Sequence, residues 1–195
     1  MASAAILAGG QARRFGGRDK STLRVGGRRI LERQLDELCH ITDDILLVGG
    51  RPIEDVTGLR PVSDRVPDSG PLGGLDAALA AARDDRVILI ACDMPFITAG
   101  FLESLLALSD SVDAVVPRTE RGYHPLCAVY GRSCHPAVVR RLVERRLKML
   151  DLLEDLKVHV VDREHVAMFG GERVLANVNT PDELHDLEAL IGHEL

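Results

Sequence analysis

Three short, almost wholly apolar runs constrain this chain more than any other feature. Ala4–Ala8, Asp44–Val48 and Val87–Ala91 lack the alternation of a half-exposed strand, and each stops at a turn. The turns are Gly9-Gly10, Gly49-Gly50 and Cys92-Asp93-Met94-Pro95. Runs of this length with such punctuation read as buried strands. Helical patterns lie between them. Ile30, Leu31, Leu35 and Leu38 keep helical spacing, and Leu72–Ala82 is alanine-rich. Thr98 reads as the N-cap of a helix over Phe101–Leu108. Further strands are expected at Leu59–Val62, Ala114–Val116, Leu126–Tyr130, Lys157–Val161 and Val174–Ala176. A helix is expected over Val138–Leu153, broken near Leu147. Thr180-Pro181-Asp182-Glu183 has the cap, proline and acidic residue of a last helix start. Strands alternating with helices imply an α/β domain with a mostly parallel central sheet covered on both faces. In such sheets ligands bind beyond the carboxyl ends of the strands, here the loops after Ala8, Val48 and Ala91.

The length of 195 residues fits one domain. Hydrophobic residues make up 46% of the chain, which excludes a disordered polyelectrolyte. No apolar run approaches the roughly 18 residues of a membrane span. The start, Met1-Ala2-Ser3-Ala4-Ala5-Ile6-Leu7, lacks the basic head of an export signal, so a cytoplasmic protein is expected. Cys39, Cys92, Cys127 and Cys134 form no C-x-x-C pair, and reduced buried thiols are expected rather than a zinc site. Tryptophan is absent and aromatics are 3%, which leaves little for stacking on nucleic-acid bases. No exposed apolar stripe is evident, and a monomer is expected.

The net charge of −6 argues against nucleic-acid or membrane binding, but its distribution is uneven. Residues 1–34 carry eight basic side chains against Asp19 and Glu32, and the rest of the chain is strongly acidic. A basic, glycine-rich start on an acidic protein suits a small polyanion held locally. The segment Leu7-Ala8-Gly9-Gly10-Gln11-Ala12-Arg13-Arg14-Phe15-Gly16-Gly17-Arg18-Asp19-Lys20 concentrates this feature. Its glycines let backbone N–H groups approach a phosphate, while Arg14 and Lys20 offer charge-assisted bonds. It fits neither G-x-G-x-x-G nor the P-loop, since Asp19 precedes Lys20 and helical periodicity begins only near Ile30.

Asp93 leaves the carboxyl end of a buried strand, where a carboxylate must be paired, hydrogen-bonded or metal-bound. It suits a Mg²⁺ ion serving phosphates, which takes one or two carboxylates, or the alternative of a capping aspartate. Asp64, after a shorter strand, is either a second acidic group or a turn residue. Gly70-Pro71-Leu72-Gly73-Gly74 opens a helix and permits close ligand contact. His124-Pro125 precedes a strand, and Asn177-Val178-Asn179 places two amides on one side if extended. No Ser/His/Asp or Cys/His nucleophile pattern is present. That suits attack by an already ionised phosphate on a nucleotide α-phosphate, which needs positioning and charge rather than a base.

Together these motifs, in this order and over nearly the whole chain, resemble the molybdenum cofactor guanylyltransferases. The first motif is shared with sugar-phosphate nucleotidylyltransferases; the His-Pro and Asn-Val-Asn-Thr-Pro elements are more specific. The resemblance implies a Rossmann-like three-layer fold of the nucleotide-diphospho-sugar transferase type. It implies transfer of GMP from GTP to the terminal phosphate of molybdopterin, with release of pyrophosphate. It places Leu7, Ala8, Gly9, Gly10 and Asp64 on the nucleotide, Lys20 on its phosphates and Asp93 on Mg²⁺. Asn177 and Asn179 fall on the pterin side, with His124 beside them, and Arg14 is added as a further phosphate cation. Other cofactor-biosynthesis or acceptor proteins are implied as partners. Some members carry Asn where this chain has Val48-Gly49-Gly50, which leaves a backbone contact or a changed nucleobase preference. The alternatives are a cytidylyltransferase on the same pterin, a sugar-phosphate enzyme, or a non-catalytic nucleotide- or pterin-binding adaptor.

Overall fold

The computed structural model describes residues 1–8, 23–50 and 56–178. Its centre is strand β1 (Ser3–Leu7), every residue of which is buried. Two parallel neighbours flank it, β4 (Ile45–Val48) and β6 (Arg86–Ala91). Between them in the chain come the small hairpin β2 (Arg24–Val25) and β3 (Arg28–Arg29), helix α1 (Ile30–Leu38), strand β5 (Arg60–Val62) and helix α2 (Gly70–Ala81). Helix α3 (Ala99–Ala107) follows β6. Then come β7 (Ala114–Thr119), β8 (Gly122–Tyr123), β9 (Cys127–Gly131), α4 (His135–Val143), α5 (Met149–Leu152), β10 (Val158–Val161) and α6 (Arg163–Ala167).

Among the described residues the main sheet runs β10-β7-β9-β6-β1-β4-β5, with β8 paired to β7. β1, β4, β5 and β6 are mutually parallel where they pair, as are β7 and β10. β9 alone lies antiparallel between β6 and β7. The expected mostly parallel sheet is therefore observed, with one reversed strand inside it.

Successive side chains of a strand face opposite sides, so fully apolar strands bury two faces at once. Ala4, Ile6, Ile45, Leu47, Ile88 and Ile90 meet Leu31 and Leu35 of α1 and Phe101 and Leu105 of α3. On the other face Ala5, Leu46, Val48, Val87 and Leu89 meet Leu72, Leu75 and Leu79 of α2 and Val138 and Leu142 of α4. This is a three-layer α/β/α arrangement. No helix among the described residues is long and apolar enough to cross a membrane.

Local chemistry sets the helix ends. The Arg29 backbone N–H donates to Glu32 Oε2 at 3.1 Å, closing the first turn of α1. Thr98 caps α3 by accepting from the Phe101 N–H at 3.3 Å, as its sequence predicts. Two expectations are corrected. Val174–Ala176 is not a strand: Gly171–Leu175 forms a 3₁₀ turn. Gly170 and Gly171, at φ 101° and 66°, swing the chain so that Val174 and Leu175 fill the core as plugs. Nor is Val138–Leu153 one helix interrupted at a point. α4 ends at Val143, Arg145 turns at φ 57°, and α5 starts only at Met149.

The amino edge of the sheet is tied by a buried aspartate. Asp44 Oδ2 accepts from Ser3 Oγ at 2.7 Å and from the Arg83 N–H at 3.0 Å. Its Oδ1 accepts from Arg60 Nη2 at 2.7 Å. Burial pushes the carboxyl up, but the bonds from Ser3, Arg60 and Arg83 outweigh it and hold the pKa below the ordinary range. The ionised form thus favours the folded state. That contribution is full above the unfolded value of about 3.9 and is lost as pH falls through the lower folded value. Asp44→Ala is expected to cost ~3 kcal/mol at pH 7, because it leaves the buried donors unanswered. Denaturant unfolding at pH 7 and pH 3 checks this: the gap between wild type and variant narrows in acid.

Candidate active site

Backbone hydrogen bonds draw the carboxyl ends of the central strands together. Ala8 N–H donates to Val48 O at 2.9 Å, Cys92 N–H to Leu7 O at 3.1 Å, and Gly49 N–H to Val62 O at 2.9 Å. Ala91 N–H donates across to Leu126 O at 2.9 Å. Leu7, Ala8, Val48-Gly49-Gly50, Asp93 and His124-Pro125-Leu126 therefore share one edge. Of the other sequence-predicted site residues, Gly9, Gly10, Arg14, Lys20 and Asn179 lie outside the described residues, as does the expected last helix.

Asp93 is buried, 6% exposed, in the turn that ends β6. The Asp93 carbonyl accepts from the Val178 N–H at 2.8 Å, so Asn177-Val178 runs directly beside it. Beneath this contact Leu23, Val25, Ile30 and Val178 form a small core of their own, with Phe96 packed on it. Arg173 covers the Phe96 ring, its guanidinium carbon 4.6 Å from the centroid. Three segments far apart in sequence are clamped here: the chain from Leu23 into the start of α1, the turn after β6, and the chain at Asn177.

Among the described residues no three or more acidic, His or Cys side chains gather to cage a metal. Mg²⁺ that serves phosphates does not need such a cage, because phosphate and water fill most of its positions. A single buried carboxylate at the carboxyl edge, with hard oxygen donors, fits that kind of site.

His124 reaches the same edge just ahead of β9, where its neighbour Leu126 accepts from the Ala91 N–H. It lies in the connection from β8 to β9, and β9 starts at this edge because it runs antiparallel to β6. Its ring Nε2 lies 2.9 Å from Thr119 Oγ1, and the His124 backbone N–H donates to Pro117 O at 2.8 Å. Burial pushes the imidazole pKa below its ordinary value, Glu172 pulls it back in part, and Arg121 adds to the lowering. A neutral His124 is a hydrogen-bonding group at neutral pH rather than a cation.

Asp64 leaves the sheet after β5 and is exposed, although the surrounding protein desolvates its carboxyl enough to raise its pKa. β5 and β6 are three strand spacings apart, about 14 Å. Asp64 and Asp93 thus leave the sheet too far apart to grip one ion from their strand ends, where Mg–O distances are about 2 Å. Glycines permit the close packing between them. A Cβ on Gly50 would lie 2.7 Å from the Ala8 Cβ, and one on Gly74 would lie 2.8 Å from Leu7 Cδ2. At the end of β4 this chain therefore offers backbone, packed tightly on Ala8.

Sequence reasoning missed two residues. Gln34 of α1 is fully buried and donates from Nε2 to Ala91 O and Met94 O, at 2.8 and 3.0 Å. Its signal was a polar residue on the buried stripe, four after Ile30 and four before Leu38. Thr119, the partner of His124, had no comparable signal.

The model for the MobA-like NTP transferase domain matches residues 4–162. The chain belongs to this family. It is 33% identical to a molybdenum cofactor guanylyltransferase of Desulfosudis oleivorans, covering 95% of this chain and 94% of that one. It is 34% identical to a probable molybdenum cofactor guanylyltransferase of Pelotomaculum thermopropionicum, covering 94% and 90%. The crystal structure of molybdopterin-guanine dinucleotide biosynthesis protein A from Archaeoglobus fulgidus superposes with a TM-score of 0.82 at 25% identity, over 99% and 100% of the two chains. The family's nucleotide-diphospho-sugar transferase fold is thus the fold of this chain.

Two measurements test the site as a unit. In Gly50→Ala the new methyl collides with Ala8, and the variant is expected to lose about 1–3 kcal/mol of stability. Nucleotide affinity should fall further than that loss of folded protein explains, which calorimetry on the folded variant measures. His124→Gln is expected to flatten the pH dependence of stability. The unfolded histidine takes up a proton below about pH 6.5 while the folded one resists it, so wild-type stability falls as pH drops through that value. Thermal unfolding from pH 7.5 to 5.5 should show a shallower slope for the variant.

Proposed function

We propose that this protein transfers GMP from GTP to the terminal phosphate of molybdopterin, releasing pyrophosphate. An oxygen of the molybdopterin phosphate forms a bond to the α-phosphorus of GTP. The bond from that phosphorus to the bridging oxygen breaks, and pyrophosphate leaves with the electron pair. The acceptor oxygen is ionised at neutral pH, so the reaction asks the protein for alignment and charge rather than for a base.

The observation that carries this reading is the 2.8 Å bond from the Val178 N–H to the Asp93 carbonyl. It sets a buried carboxylate suited to a phosphate-bound metal beside Asn177, the residue that the family pattern assigns to the pterin. The relatives' names and the order of the motifs support the same substrates. In this reading Asp93 holds Mg²⁺, which supplies charge compensation on the phosphates when bound. Leu7, Ala8 and the following glycines line the nucleotide, with Lys20 and Arg14 facing its phosphates and Asp64 on the nucleoside side. His124, neutral and held by Thr119, donates or accepts a hydrogen bond on the acceptor side with Asn177 and Asn179.

A thermal-shift panel of GTP, CTP, UTP and ATP with Mg²⁺, followed by product identification with molybdopterin, tests the assignment. GTP alone is expected to stabilise strongly and to yield the guanine dinucleotide. A preference for CTP would instead support cytidylyl transfer, and no pyrophosphate from any nucleotide would support an adaptor. Asp93→Ala should keep its circular dichroism spectrum and lose at least ~100-fold in turnover.

A further inference from the structure

We propose that Gln34 is a positioning residue: it fixes the turn that aims the Asp93 carboxylate at the nucleotide's metal ion. The inference deepens the guanylyl-transfer reading and rests on its assignment of Asp93.

Among the described residues the backbone of the turn is tied at five points. Ala91 N–H donates to Leu126 O, Cys92 N–H donates to Leu7 O, and the Asp93 carbonyl accepts from Val178. The Ala91 and Met94 carbonyls both accept from Gln34 Nε2, at 2.8 and 3.0 Å. The first three ties are backbone to backbone and follow from the sheet and from the docking of Asn177-Val178. The last two come from one side chain on α1, a helix that neighbours β6 in neither sequence nor ladder.

Two features separate this from ordinary core filling. Gln34 lies among Ile30, Leu31, Leu35 and Leu38 on the buried stripe of its helix, where an aliphatic residue would continue the apolar face without desolvating an amide. Moreover, among the described residues Gln34 Oε1 is buried without a hydrogen-bond partner. The side chain satisfies two carbonyls of the turn while leaving its own oxygen unanswered. Two carbonyl acceptors also dictate which way the amide faces, since the flipped form would set oxygen against oxygen. The two bonds grip the residue before Cys92-Asp93 and the residue after it. Rotation of the turn, and with it the direction of the carboxylate, is therefore limited by Gln34. Groups that orient a metal's ligand typically change metal affinity about 10–100-fold when removed.

The test compares wild type, Gln34→Met and Leu35→Ala, the last a cavity in the same helix that leaves the turn's ties intact. GTP affinity is measured by calorimetry in EDTA, and Mn²⁺ binding to the protein–GTP complex by electron paramagnetic resonance. Gln34→Met is expected to weaken Mn²⁺ binding at least ~10-fold, with GTP affinity in EDTA little changed. Leu35→Ala is expected to lower the melting temperature without that loss. Should Gln34→Met fail to fold, Gln34→Asn takes its place, its shorter amide reaching at most one carbonyl. Wild-type Mn²⁺ affinity in a folded Gln34 variant overturns the proposal while leaving the guanylyl-transfer reading intact. A wild-type GTP complex that binds no Mn²⁺ overturns both.

Discussion

Backbone polar groups at the end of a buried parallel sheet cannot be left without partners, and that requirement organises this molecule. Where β1, β4 and β6 stop, no further ladder exists to absorb their N–H and C=O groups. The chain answers with N–H donors from one segment to the carbonyls of another: Ala8 to Val48, Cys92 to Leu7, Ala91 to Leu126, Val178 to Asp93. Each such bond brings a residue of the candidate site against another. The arrangement of the carboxyl edge is in this sense a by-product of satisfying the sheet. Gln34 extends the same logic from a helix, supplying two donors to carbonyls that the strands do not reach.

The central strands were legible because burial on both faces forces a continuous apolar run, and such runs leave few alternatives. Thr98 was legible because capping is a local bargain between one side chain and one N–H. Elements whose form depends on distant partners were harder to read. Val174-Leu175 has the apolar character of a short strand, yet β10 already occupies the neighbouring edge, and two left-handed glycines redirect the pair into the core. α6 is five residues long and is set by Asp162 accepting from the His165 N–H, a cap with too little apolar periodicity behind it to be noticed. β8 is only two residues.

Among the candidate site residues, Asp93 and His124 could be picked out singly beside a strand end and a proline, and Asn177 through its Asn-Val-Asn pattern. Their adjacency could not be derived from local pattern. It depends on strand order, and in particular on Leu126 reaching Ala91 and Val178 reaching Asp93 across more than thirty residues of chain. Family resemblance supplied that proximity in advance without a physical account of it. Gln34 shows the opposite case. Its position on an apolar stripe was visible, but a lone polar residue on such a stripe does not reveal what it will meet.

The reversal of β9 inside the sheet has a consequence for the carboxyl edge. Because β9 points against its neighbours, the peptide that enters it, rather than the one that leaves it, is delivered to the carboxyl edge of the sheet. The wall at residues 118–126 is consequently a hairpin tip, free to lengthen or shorten without disturbing the register of β1, β4 and β6. A change of length at that tip would reshape the carboxyl edge while the pairing of β1, β4 and β6 stays in register.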